Sequence, residues 1–149
     1  MRSSGVGCQV SVVSCQYPIN YELRMAEYKT YKELDIWIKS RALVKEIYIL
    51  TKDFPRDELF GLTSQMRRCA VSIPSNIAEG YGRQYKKETI QFFHIARGSL
   101  YELETQLYIS ADLAYLPAAK LAMMIMQLEE CRKLLSGLIK YFENNLNLR

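Results

Sequence analysis

The side chains in this sequence best equipped for chemistry are basic, and they come in short runs. Arg67 and Arg68 are adjacent, Arg83, Lys86 and Lys87 follow close together, and Arg97 lies further on; Lys39, Arg41 and Lys45 form an earlier set. Guanidinium and ammonium groups neutralise phosphates, and aromatic rings such as Tyr81 and Tyr85, interleaved with the second run, stack on unpaired bases. The pattern therefore points to a surface of Arg67, Arg68, Arg83, Lys86, Lys87 and Arg97 that holds RNA or DNA. The competing reading is a solvated helix face, because a basic patch without a fold motif is only an electrostatic footprint. A formal net charge of +4 permits an anionic partner without demanding one.

Catalytic chemistry needs groups that converge, and few are present. His94 is the sole histidine. A lone histidine can act as a general base, but no motif supplies a nucleophile or an orienting acid for it, so a surface or core-edge position is the simpler reading. A di-iron bundle wants Glu-x-x-His pairs on facing helices, and no glutamate lies three residues before His94. Gly80-Tyr81-Gly82 is too short for a phosphate-binding glycine fingerprint. Cys8, Cys15, Cys69 and Cys131 form no CxxC pair, and the latter two fall at apolar positions, where free cysteine packs as a small hydrophobe. We expect no enzymatic activity, no metal and no cofactor.

Four amphipathic segments must position these residues. In the first, Lys32 to Asp53, Ile36, Leu43, Ile47, Leu50 and Phe54 recur at helical spacing, with Trp37, Val44 and Tyr48 widening the stripe. Phe54-Pro55 should end it, since the residue before proline is pushed out of the helical region. In the second, Glu58 to Glu79, the seam is Leu59, Leu62, Met66, Ala70, Ile73 and Ile77. Pro74 interrupts that seam, so either one helix kinks there or two helices meet, and Ser72, Ser75 and Asn76 can satisfy the freed backbone. Gly80 and Gly82 should stop the helix. The third segment, Lys86 to Ser110, carries Phe93, Ala96, Leu100, Leu103 and Leu107, with Gly98 and Ser99 small enough for another backbone to approach. The fourth, Pro117 to Asn144, carries Leu121, Met124, Leu128, Cys131, Leu135, Leu138 and Phe142, with Pro117 in its first turn.

Connections at about 54–57, 80–85 and 111–116 are short enough to make consecutive helices antiparallel neighbours. The expected fold is all-α, an antiparallel up-down four-helix bundle filling residues 25–149. Residues 1–24 read as a disordered or mis-called extension, with Met25 opening the charged segment that leads into the helical pattern. They make a poor signal peptide, and no apolar run reaches the roughly 18 residues a membrane span needs, so a cytoplasmic protein with no membrane partner is expected. Surplus tyrosines off the main seams (Tyr28, Tyr31, Tyr101, Tyr108) suggest a subunit or partner interface, or simply exposed tyrosine.

One stretch carries a more specific signal. Ser72-Ile73-Pro74, Asn76-Ile77-Ala78-Glu79-Gly80 and Ile95-Ala96-Arg97-Gly98-Ser99, flanked by Glu58-Leu59-Phe60-Gly61-Leu62 and Glu102-Leu103-Glu104, resemble the bacterial 23S ribosomal-RNA intervening-sequence proteins over Tyr31 to Leu116. The resemblance implies a homopentameric barrel of four-helix bundles. It also implies kinship with the accessory variability determinant of diversity-generating retroelements, which binds nucleic acid and partners a reverse transcriptase. It brings no catalytic residues. Under it, Pro74, Asn76, Glu79 and Gly80 become an oligomer-interface or structural motif. Asn76 and Glu79 either link subunits or act locally, Asn76 compensating Pro74 and Glu79 standing solvated in the last turn. Two functions stay open: a nucleic-acid-binding oligomer, or a protein-interaction scaffold with no direct nucleic-acid role.

Overall fold

A computed structural model of the chain describes residues 28–146. The expectations for residues 1–24 lie outside the described residues. Within them the chain forms four α-helices and two short 3-10 turns, with no strand. The helices are α1 (Asp35–Leu50), α2 (Leu62–Tyr81), α3 (Lys86–Asp112) and α4 (Ala118–Asn144). Each helix packs on the next and α4 returns to α1, while the Cα atoms of the diagonal pairs stay more than 8 Å apart. That ring order is the up-down bundle.

The apolar stripes meet in one core. Ile36, Leu43 and Ile47 of α1, Met66, Ala70, Ile73 and Ile77 of α2, and all five expected positions of α3 are buried. On α4, Met124, Leu128, Cys131, Leu135 and Leu138 are buried, while Leu121 and Phe142 pack in part against the core. Phe93 and Phe142 meet edge to face, with ring centroids 5.4 Å apart, a geometry favoured by the ring quadrupoles.

The helix ends depart from expectation where local chemistry outcompetes periodicity. Tyr31–Glu33 is a separate 3-10 turn capped by the Thr30 side chain, and Leu34 then turns extended (ψ 124°). Leu34 is buried, so the chain bends to place it in the core, and α1 starts at Asp35 rather than Lys32. At its other end α1 stops at Leu50, before Phe54-Pro55, as the Thr51 hydroxyl donates to the Ile47 carbonyl at 2.8 Å. The break lets Phe54 fold back into the core against Tyr115.

The second segment does not start at Glu58. Arg56–Leu59 is a 3-10 turn, Gly61 is non-helical, and α2 begins at Leu62, whose amide is accepted by the Glu58 carboxylate at 2.9 Å. Leu59, read as a core position, is therefore outside the helix and 52% exposed.

Pro74 does not divide the segment: α2 runs unbroken from Leu62 to Tyr81 with Pro74 buried inside it. Side-chain donors reinforce the carbonyls on both sides of the lost bond. Ser72 donates to Cys69 and Ser75 to Val71, both at 2.8 Å, and Asn76 Nδ2 donates to Ser72 at 2.7 Å. Gly80 is not the helix stop either. It is buried within the last turn of α2, and a Cβ there would sit 2.8 Å from Phe92 Cβ and 3.1 Å from the Thr89 carbonyl oxygen. Its missing side chain lets α2 and α3 close together, and Gly82 is the C-cap. Gly98, by contrast, faces open space on α3.

Candidate nucleic-acid interface

The six basic residues expected to form one surface are spread along and around the bundle. Arg67 and Arg83 are 16 positions apart, which separates the two runs by about 24 Å along the α2 axis at the α-helical rise of 1.5 Å per residue. Their surroundings differ as much as their positions.

At the α2–α3 end much of the charge is already engaged. Arg83 forms an ion pair with Glu79, one turn back, and its guanidinium lies over the Phe92 ring, 4.5 Å from the centroid. Lys86 donates to the backbone carbonyl of Asn145 at the end of α4. Lys87 is exposed, and neither it nor Arg97 has a carboxylate partner among the described residues. Tyr85 is exposed, whereas Tyr81 packs partly on the core and donates its hydroxyl to the Tyr28 carbonyl at 3.3 Å.

Near the start of α2 the arrangement is open. Arg67 Nε donates to the Thr51 hydroxyl at 2.8 Å, and the guanidinium lies 4.9 Å from the centroid of the Tyr48 ring. Two contacts from α1 thus fix its direction, while its two terminal nitrogens make no hydrogen bond among the described residues. Arg68 is exposed and has no carboxylate partner among them. Both arginines line a groove of about 590 Å³ whose walls include Tyr48, Leu59, Ser64 and Val71. A second depression of about 380 Å³ shares Leu59, Thr63 and Arg67 with it and adds Lys52 and Arg56. No carboxylate lines either hollow.

Sequence reasoning singled out Arg67 and Arg68 but missed Lys52, Arg56, Tyr48 and Thr51 as their companions. Tyr48 and Thr51 are one helical turn apart, a spacing that puts both on one face of α1. Tyr48 was read as widening the core stripe, yet it is 41% exposed. Only the α1–α2 contact shows what they face.

The remaining reactive side chains are engaged structurally. Cys69 and Cys131 are buried, and desolvation pushes both thiols up to about 12, with Glu102 adding to the effect at Cys69 and Glu130 at Cys131. Cys69 donates to the Ser99 carbonyl at 3.0 Å. Thiolate chemistry is suppressed in both. His94 Nε2 stands 3.9 Å from Glu143, and its Nδ1 is buried without a hydrogen bond. Among the described residues no three His, Cys, Asp or Glu side chains gather to hold a metal ion, and no helix is long and apolar enough to cross a membrane.

Of the motif residues, Asn76 bonds within its own helix and Glu79 is exposed and paired with Arg83. Comparison with known sequences gives two results. The family model of the 23S rRNA-intervening sequence protein matches residues 32–137. No curated protein matches the chain.

Proposed function

As the chain belongs to the 23S rRNA-intervening sequence protein family, we propose that it is a non-enzymatic homo-oligomer that binds RNA or DNA through its basic surface. The supporting observation is a set of cations that no described carboxylate neutralises: Arg67, Arg68, Lys87 and Arg97 lack carboxylate partners among the described residues. Cations left free on a folded surface are available to phosphate oxygens, and the counterions they displace drive association. The family name associates its members with ribosomal RNA, which agrees with that chemistry. A homopentameric barrel is the assembly implied by the sequence resemblance, and it would repeat the basic surface five times.

Light scattering of the purified full-length protein, with and without a mixed pool of RNA and DNA, tests this reading. The expected result is a pentamer that gains nucleic acid at low salt and releases it at high salt. An oligomer that ignores the pool at low salt would refute it.

One observation favours a second reading, in which the oligomer is a scaffold or an accessory subunit, for example of a reverse transcriptase. Phe60 is 92% and Met126 73% exposed, and covering large apolar side chains is favourable because it removes their surface from water. A defined protein partner that co-purifies after nuclease treatment would support this reading, and loss of all partners under nuclease would count against it.

A further inference from the structure

We propose that the groove between α1 and α2 is the subsite for one unpaired nucleotide of a single strand, its phosphate on Arg67 and Arg68 and its base against Tyr48 and Leu59. This rests on the nucleic-acid reading and narrows it to a place and a strandedness.

Three features of the groove point the same way. Its central cation is pre-oriented: Arg67 is held at Nε by Thr51 and by the Tyr48 ring, so the outer fork of the guanidinium can take a phosphate with two parallel hydrogen bonds. Its walls are apolar and accessible. Tyr48 is 41%, Leu59 52% and Val71 40% exposed around the arginines, and a flat base covers such surface at little entropic cost. Its size, about 590 Å³, falls in the range of pockets that enclose small organic ligands.

Strandedness follows from the mixture. A duplex offers phosphates but keeps its bases stacked and paired, so it could use the arginines and not the apolar wall. An unpaired strand can splay one base out and use both. Lys52 and Arg56, in the adjoining hollow, are placed to meet a neighbouring phosphate. The groove has no lining carboxylate to repel either one, and none to capture a metal ion or a basic peptide.

Fluorescence anisotropy tests the proposal with a labelled mixed-sequence 20-mer, as single-stranded RNA, single-stranded DNA and duplex DNA, titrated with full-length protein at low salt. Both single strands should bind several-fold more tightly than the duplex, and the RNA-to-DNA ratio reports which sugar the groove prefers. Tyr48→Leu keeps the apolar bulk but removes both the base platform and the ring that supports Arg67, and should weaken single-strand binding by at least the roughly 5- to 100-fold range for losing one base stack. Arg68→Gln, at an exposed position with no partner among the described residues, should weaken it and lower the salt exponent by about 1. Both variants should melt like the parent, and Lys140→Gln, exposed on α4 away from the groove, should lose far less.

Failure of the groove and failure of the wider reading look different. If no oligonucleotide binds the parent protein, nucleic-acid binding itself falls, and the groove with it. If the parent binds but Tyr48→Leu and Arg68→Gln are unchanged, or the duplex binds as well as the single strands, the groove is not the site although the surface is. An acidic peptide that binds the parent as tightly as the oligonucleotide and loses affinity equally in Tyr48→Leu would also overturn the proposal.

Discussion

Individual positions in this chain are decided by what lies within a few ångströms. Gly80 and Gly98 are both helical glycines, yet alanine should act oppositely at the two. In a helix interior alanine is favoured over glycine by about 1 kcal/mol. At Gly98 the new methyl meets nothing within 4 Å, so Gly98→Ala should raise stability by about 0.5–1 kcal/mol. At Gly80 it meets Phe92 Cβ at 2.8 Å, and overpacking typically costs about 1–3 kcal/mol, so Gly80→Ala should lower stability. Urea unfolding of the two variants checks the contrast. The buried thiols give a second expectation. Cys69 and Cys131 have folded pKa values raised to about 12 from an ordinary 9. Their contribution is fully present below pH 9. Above it the unfolded chain ionises while the folded chain does not, so stability falls through the interval up to about pH 12. The urea midpoint should drop between pH 8 and pH 10, and Cys69→Ala with Cys131→Ala should flatten that slope.

Between elements, polar pairs fix how the helices sit. Arg132 on α4 grips Glu104 on α3 through two hydrogen bonds, at 2.7 and 3.3 Å, with its guanidinium 5.0 Å from the centroid of the Tyr101 ring. Both side chains are about 20% exposed. Removing Glu104 leaves a largely buried guanidinium with only Glu129, 3.3 Å from Nη2, as its carboxylate partner, whereas replacing both with apolar groups of similar volume leaves no buried charge to compensate. Glu104→Met alone should therefore cost roughly 1–3 kcal/mol, and Glu104→Met with Arg132→Met should recover most of that loss; thermal melts of the single and double variants decide it. On the other side of α3, Ser72 and Ser99 share a 2.6 Å hydrogen bond across the α2–α3 seam. That seam is also where Gly80 lets the helices approach. Pro74 is tolerated in the same stretch because hydroxyl and amide donors support the carbonyls around it.

For the whole molecule, charge is modest but unevenly used. A net charge of +4 gives weak long-range attraction, so affinity must come from local contacts. If four free cations per subunit meet phosphates, the logarithm of affinity should fall against the logarithm of salt with a slope of about −3 for a single strand. Cooperative engagement by several subunits would steepen it. A titration series at increasing salt measures this exponent, and a slope near zero would remove phosphate contacts from the account. Arg83 should add little to it, because Glu79 already neutralises that guanidinium.

Periodicity alone made the four helices, their order and most of the core legible, because burial of one helical face repeats every three or four residues regardless of what covers it. It also marked the basic residues, since charge is written in the residue type. It could not say which element each would meet. Leu59 fits the apolar spacing of α2, yet it stands in a 3-10 turn because Glu58 caps α2 at Leu62. Gly80 looks like a helix stop and is instead a contact point, a fact visible only once Phe92 lies against it. The Arg67–Thr51 and Lys86–Asn145 contacts join residues 16 and 59 positions apart. Local sequence determines which side chains leave the core, but the packing of one helix on another determines which of them find a partner inside the chain. Tertiary structure therefore decided which cations are engaged internally and which have no partner among the described residues.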